Sequence, residues 1–143
     1  FAEDHIPGAI NLPVLDDSER AEVGTLYKQV DPFVARKRGA ALTSANIARH
    51  LTTLAEQPRD WRPLVYCWRG GQRSGSLALV LNEIGWPVTL LQGGYKAYRR
   101  EVQSRVPTEI TRLRFQVLAG PTGCGKTAIL HQMAESGFQI LDL

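Results

Sequence analysis

Twice in 143 residues a short apolar run ends in a glycine-rich loop that opens onto a helix-periodic segment. The first run is Pro63-Leu64-Val65-Tyr66, followed by the loop Cys67–Ser74 and then Ser76–Ile84, with Leu77, Val80, Leu81 and Ile84 at helical spacing. The second is Phe115–Ala119, followed by Gly120–Gly125 and then Lys126–Ala134. A short apolar run bounded by turn residues reads as a buried strand, and strands that alternate with helices imply a parallel sheet. The expected fold is therefore α/β: a parallel sheet flanked by helices, then the first βαβ unit of a second domain.

The remaining segments fit that pattern. Asp16–Gln29 reads as a helix, Arg36-Lys37-Arg38-Gly39 as a basic break, and Thr43–Glu56 as a second helix with Ser44 as its N-cap. Gly85 is placed to stop the helix after the cysteine loop. Val88–Leu91 reads as a strand ended by Gly93-Gly94, and Tyr95–Val102 as a helix. Pro107 marks the expected boundary, giving domains 1–106 and 107–143. Gly137 stops the last helix before a strand at Phe138–Leu143. A lone βαβ unit buries too little apolar surface to hold itself together, so the second part is expected to be a piece of a longer domain.

Composition narrows the class. With 43% hydrophobic and 22% charged residues, and no apolar run of membrane-spanning length, the chain reads as a soluble globular protein. Cys67 and Cys124 lack metal-ligand spacing and stand alone, so reduced thiols, a cytoplasmic setting and no metal centre are expected. Charge is uneven: residues 1–33 carry two Lys/Arg against seven Asp/Glu, and residues 34–143 fifteen against seven. A basic body suits a polyanionic partner such as RNA, although a solvated surface has the same composition.

The loop Cys67-Trp68-Arg69-Gly70-Gly71-Gln72-Arg73-Ser74 carries the chemistry of the first part. A strand-to-helix turn aims backbone N–H groups at one point beside the positive end of a helix. A thiol held there is lowered toward neutral pH and becomes a nucleophile. Arg69 and Arg73 are expected to reinforce the effect, and Gly70 and Gly71 to let the backbone curl round an anion. The competing reading of Cys67 is a buried structural thiol. Trp68 suits either packing under the loop or stacking on a base. His5 reads as structural.

Gly120-Pro121-Thr122-Gly123-Cys124-Gly125-Lys126-Thr127 fits G-x-x-x-x-G-K-[ST] between a strand and a helix. Backbone N–H groups around Gly120, Gly123, Cys124 and Gly125 would cradle a diphosphate, with Lys126 contacting it and Thr127 able to hold Mg²⁺. Cys124 reads as a small filler, and Asp142 as a candidate metal or substrate contact. A nucleotide is the default ligand, but the Gly-Pro-Thr opening is similar to that of P-loop enzymes that prenylate tRNA.

Three motifs resemble the rhodanese family. They are His5-Ile6-Pro7-Gly8-Ala9-Ile10-Asn11-Leu12-Pro13, the Cys67 loop, and Leu91-Gln92-Gly93-Gly94-Tyr95-Lys96-Ala97-Tyr98, with Tyr98 where Trp is commoner. The family's first strand, with its acidic residue and Arg, is absent. A rhodanese-like domain running into a P-loop NTPase-like domain resembles the tRNA 2-selenouridine synthase family. Tyr66-Cys67-Trp68-Arg69-Gly70-Gly71, Arg73-Ser74 and Gly24-Thr25-Leu26-Tyr27-Lys28-Gln29 carry that likeness.

The resemblance implies replacement of sulfur by selenium in the wobble 2-thiouridine of tRNA. Selenophosphate would be the donor, and an S-geranylated intermediate would be made from geranyl diphosphate. It also implies that Cys67 handles selenium and that the Gly120–Thr127 loop holds the diphosphate. A stand-alone thiosulfate or persulfide sulfurtransferase is the alternative. A Cys-x5-Arg phosphatase and a non-catalytic rhodanese-like module are more remote, since Tyr66 stands where such phosphatases carry His and Cys67 is retained. The isolated 143-residue chain is expected to lack a cooperative thermal transition, which calorimetry would check.

Overall fold

A computed structural model describes residues 1–142. It divides into two compact units, Phe1–Arg105 and Val106–Leu143. The first unit opens with an irregular segment and two helices. α1 (Asp17–Gln29) begins with a capping box: the Asp16 carboxylate accepts from the Glu19 N–H at 2.8 Å, and Glu19 accepts from the Asp16 N–H at 2.9 Å. α2 (Pro32–Leu54) begins after Asp31, whose carboxylate caps the N–H groups of Phe33 and Val34.

Neither the basic break at Arg36–Gly39 nor the N-cap at Ser44 is present; α2 runs through both. Pro32 at the first turn and the Asp31 cap start the helix eleven residues early, and Ala35, Ala40 and Ala41 favour its continuation. Gly39 costs the helix up to about 1 kcal/mol of propensity, yet its bare backbone faces α1. A Cβ there would lie 3.4 Å from Val23 Cγ1. Arg38 crosses to Glu22 at 2.6 Å, an exposed pair that draws the Glu22 carboxyl below its ordinary range.

Asn46 of α2 is 2% exposed and satisfied on both sides. Its amide donates to the Val14 carbonyl at 3.0 Å and to Glu19 at 2.6 Å, while its oxygen accepts from Arg49. His50 Nε2 lies 2.8 Å from the Pro13 carbonyl. Asn46 and His50 therefore bind the incoming segment Pro13–Asp16 to α2.

β1 (Leu64–Val65) and β2 (Thr89–Leu90) pair in parallel, with Leu64 opposite Thr89 and Val65 opposite Leu90. The crossover is α3 (Gln72–Ile84), ended by Gly85 in the left-handed region at φ 107°. The strands are shorter than the apolar runs that foretold them; β1 is buried on one face only, with Val65 buried and Leu64 exposed, and both residues of β2, Thr89 and Leu90, are exposed. Pro63 has no N–H to donate and contributes only its carbonyl, to Thr89 at 2.9 Å.

Val14, Ile47, Leu54, Val65, Leu77, Ala78, Leu81 and Trp86 form the core. Trp86 donates its indole N–H to the Pro58 carbonyl at 2.9 Å and meets Trp61 edge-on at 5.3 Å. The core thus fixes both ends of α3, whose N-terminus is the Cys67 loop. α4 (Gly94–Ile110) continues past the expected end at Val102 and contains Pro107, so Pro107 does not terminate it. The ring removes one N–H and clashes one turn back, which a helix interior tolerates at a cost of about 3 kcal/mol.

The second unit contains α5 (Lys126–Glu135), with Gly125 left-handed at its start. The strands expected at Phe115–Ala119 and Phe138–Leu143 are not formed among the described residues, and Leu143 lies outside them. Strand backbone needs a partner for its N–H and C=O groups, and no ladder is present there. The apolar side chains remain in solvent, Val117 at 88% exposure.

Truncating Leu81, 1% exposed at the centre of the core, to Ala in the full-length protein is expected to destabilise the first unit by about 2–5 kcal/mol, read by denaturant titration.

Candidate active site

Cys67 lies two residues past the end of β1, and its half-buried sulfur receives two donors. The Gly71 N–H lies 3.3 Å from Sγ and the Ser74 hydroxyl 3.2 Å. Ser74 is buried on the first turn of α3 and its hydroxyl also lies 3.0 Å from the Gly71 carbonyl. With one proton to share, Ser74 donates to the better acceptor, which is the thiolate.

Burial pushes the Cys67 thiol up, but the donors together outweigh it. The Ser74 hydroxyl and the backbone N–H groups of Gly71, Ser74 and Arg69 bring the thiol down to about 7. Arg69 contributes through its backbone; the guanidinium groups of Arg69 and Arg73 are not among the causes. Arg69 is exposed and Arg73 half-buried. Among the described residues neither pairs with a carboxylate within 4.0 Å.

The two loop glycines differ. Gly70 has φ 67°, and a Cβ there would lie 2.8 Å from the Gly94 N and 2.9 Å from the Leu91 O. Gly71 has φ −106° and open space where a Cβ would go, so neither backbone curl nor crowding requires glycine at that position. What Gly71 supplies is its N–H and the start of α3. The other essential glycine is Gly94, at φ 61°, whose added Cβ would overlap the Cys67 carbonyl oxygen and the Gly70 nitrogen.

The close approach lets α4 receive the loop. Cys67 O accepts the Tyr95 N–H at 2.9 Å and Trp68 O accepts the Lys96 N–H at 3.1 Å. Below the loop an aromatic row runs from Tyr66 to Tyr95 (6.3 Å) and on to Tyr98 (6.0 Å), with Trp68 tilted against Tyr95 at 5.7 Å. Hydrogen bonding to the Asp4 carboxylate and burial raise the Tyr95 phenol to about 12. Tyr66 accepts the Ile6 N–H on its hydroxyl at 3.2 Å.

These contacts bring the segment His5–Pro13 against the loop and enclose an open cleft. Cys67, Arg69, Arg73 and Ser74 line it, together with Asp4 and His5. His5 stacks on Phe1 at 4.1 Å and meets its carbonyl at 3.1 Å, a local contact that orders the entry of the chain. Sequence reasoning did not single out Ser74 as a donor to Cys67. A hydroxyl one helical turn into α3 is the signal that marks it.

In the second unit, Gly123 (φ 79°) and Gly125 (φ 83°) adopt left-handed backbone. Lys126 Nζ donates to the carbonyls of Gly120 at 2.9 Å and Pro121 at 2.8 Å, and lies 3.8 Å from Cys124 Sγ. A Cβ on Gly120 would lie 2.8 Å from that sulfur, so Cys124 packs against bare backbone. Cys124, Thr127 and Asp142 are exposed. No cluster of three or more metal-ligating side chains exists among the described residues, and no described helix is long and apolar enough to cross a membrane.

Residues 1–101 match the family model described as Rhodanese-like domain. The chain is 36% identical to the tRNA 2-selenouridine synthase of Nitrosomonas europaea, aligning over 100% of its own length and 37% of that protein. It is 37% identical to the enzyme of the same name from Bdellovibrio bacteriovorus, over 100% of this chain and 38% of that one. The figures for the one from Bordetella petrii are 40%, 95% and 37%. The chain therefore spans a little over a third of the length of these curated relatives. Among solved structures it resembles the N-terminal domain of a Clostridium difficile 630 protein named for ATP/GTP binding. The TM-score is 0.62 at 40% identity, over 71% of this chain and 79% of that one.

Alkylation of Cys67 by iodoacetamide, followed by mass spectrometry of its peptide in the full-length protein, is expected to be half-maximal near pH 7 and to rise above it as the thiolate forms. Ser74→Ala removes a donor to the thiolate and is expected to move that midpoint upward.

Proposed function

The chain belongs to the rhodanese-like domain family, and from that premise we propose that it is part of a tRNA 2-selenouridine synthase. In this reading Cys67 is the nucleophile that handles selenium, and Trp68, Arg69, Gly70, Gly71 and Arg73 form the loop that receives the incoming anion. The carrying observation is a thiol lowered to about 7 by backbone and hydroxyl donors, in a chain that matches enzymes of that name along its whole length. Arg69 and Arg73, free of carboxylates, are available to an oxyanion such as selenophosphate.

The second unit is proposed as the start of a P-loop domain that holds geranyl diphosphate. Gly120, Gly123, Cys124, Gly125, Lys126 and Thr127 form the cradle, with Mg²⁺ at Thr127. The left-handed Gly123 and Gly125 and the inward Lys126 support it. The chemistry of the two units is complementary. Sulfur at C2 of 2-thiouridine attacks the allylic carbon of geranyl diphosphate, forming a C–S bond and releasing diphosphate. The selenium of selenophosphate then adds at C2, collapse of the adduct expels geranyl thiol, and water cleaves the remaining Se–P bond to release phosphate and leave selenium at C2. S-alkylation thus turns a poor leaving group into a good one. The acceptor is tRNA, the setting cytoplasmic, and the basic bias after residue 33 supports a polyanionic partner.

A rhodanese-type sulfurtransferase acting on thiosulfate or a persulfide is the second reading. The complete Cys67 loop within the Phe1–Arg105 unit favours it, because that reading uses no phosphate loop.

In the full-length protein, Cys67→Ala is expected to lower 2-selenouridine in digested tRNA by at least about a hundredfold, the scale of removing a nucleophile. S-geranylated 2-thiouridine and tRNA binding should persist. Unchanged 2-selenouridine would overturn the assignment, and sulfur transfer from thiosulfate with no selenium incorporation by the wild type would select the second reading.

A further inference from the structure

The Trp68 indole is 47% exposed immediately after the nucleophile, on a loop otherwise held tightly to its surroundings. One side of the ring leans on Tyr95 at 5.7 Å with a 32° tilt. Tyr95 is itself buried and flanked by Tyr66 and Tyr98, and the Trp68 carbonyl is tied to the Lys96 N–H. The indole therefore has a rigid aromatic backing and about half its surface in solvent. Core packing does not require that exposure: the core tryptophan Trp86 is buried and Trp61 packs against it.

Several cations share the surroundings of the ring. Arg62, Arg69 and Arg73 line the same cleft as Trp68, and Lys96, Arg99 and Arg100 lie on the first turns of α4. None of these six has a carboxylate within 4.0 Å among the described residues. The acids of the cleft are mostly committed: Asp4 to Tyr95, Asp16 to the α1 cap and Asp17 to Arg20. An exposed, backed indole in a cleft with arginines that have no carboxylate partner among the described residues suits a base with its flanking phosphates, because stacking is sequence-tolerant and cations track the backbone.

We propose that Trp68 is a stacking platform for an unstacked nucleobase of the RNA substrate, holding it beside Cys67 while the cations of the loop and α4 grip the neighbouring phosphates. Trp68 is then a positioning residue, and the inference rests on the tRNA reading given above. It adds to that reading the surface and the contact by which a single-stranded region is received.

The test compares full-length wild type, Trp68→Ala, Trp68→Phe and Cys67→Ala, measuring Kd for tRNA carrying 2-thiouridine and KM and kcat for its selenation. Trp68→Ala is expected to weaken binding and raise KM by about tenfold, the scale of one lost base–aromatic stack, with kcat changed less. Trp68→Phe should restore most of the binding, and the alkylation midpoint of Cys67 should not move in either variant. Equal Kd and KM in Trp68→Ala and wild type would overturn the platform. So would a fall in kcat alone accompanied by a shifted Cys67 midpoint. If Trp68→Ala does not fold, Trp68→Leu takes its place: binding kept by Phe and lost by Leu supports stacking, and equal binding overturns it. Failure of the broader reading is separately visible, as 2-selenouridine made undiminished by Cys67→Ala.

Discussion

The Cys67 carbonyl accepts the Tyr95 N–H at 2.9 Å across a gap that only bare backbone on both sides permits. Gly70 and Gly94 are both left-handed, and each would drive a Cβ into the backbone of the other's segment. This mutual exclusion fixes the distance between the loop after β1 and the start of α4. Several features follow from it. The loop cannot swing away from α3, so the N–H groups of Arg69, Gly71 and Ser74 stay aimed at the sulfur. Tyr95 is pulled under the loop, where it backs Trp68 and engages Asp4. The segment containing Asp4 and His5 is thereby held at the cleft.

A thiolate can be stabilised by a nearby cation or by hydrogen bonds, and the choice affects what else the site can do. Here the lowering comes from hydrogen bonds, which leaves the guanidinium groups of Arg69 and Arg73 uncommitted. A cation paired tightly with the sulfur would have to release it before binding an incoming oxyanion. Fixed backbone donors carry no such exchange cost, and they serve equally well when the charge moves to an atom added beyond the sulfur. Ser74 is suited to the same task because its hydroxyl can turn between the Gly71 carbonyl and the sulfur as charge appears.

Local signals in the sequence foretold most helices but not the distances between segments. Asp16 and Glu19 spell a capping box, and Gly85 a helix stop, so α1 and the end of α3 were legible from a few neighbouring residues. The run Arg36–Gly39 misled because charge and glycine suggest a break. Asp31-Pro32, a cap followed by a favoured first residue, was the stronger signal. Asn46 and His50 looked like ordinary polar positions on a helix. Their partners Val14 and Pro13 are more than thirty residues away, and only tertiary structure brings them together. The same is true of the site: glycine at position 70 was legible as a loop residue, but its pairing with Gly94 was not. The apolar run Phe115–Ala119 carried a strand signal that nothing among the described residues satisfies, since a strand is completed by its neighbour.

On the proposed reading both glycine-rich loops serve an anion, a thiolate at one and a diphosphate at the other, and the reactivity of the first toward the second explains why they belong to separate units. At Cys67 the converging N–H groups stabilise a thiolate that is soft, nucleophilic and present at neutral pH. In Gly120–Thr127 the side-chain charge is the Lys126 ammonium, which donates to the carbonyls of Gly120 and Pro121. An allylic diphosphate bound within reach of the Cys67 thiolate would alkylate it, ending the activity that the thiolate serves. Cys124, the thiol of the second loop, lies beside Gly120 and, among the described residues, has no donor set comparable to that of Ser74 and Gly71. On the proposed reading, in which carbon goes first onto sulfur and selenium then takes the place of sulfur, the RNA base would visit two sites. An RNA that must move between sites needs a contact that holds a base firmly enough to react and lets it go afterwards. A single exposed indole beside the nucleophile has that strength, because one base–aromatic stack contributes about 1–3 kcal/mol.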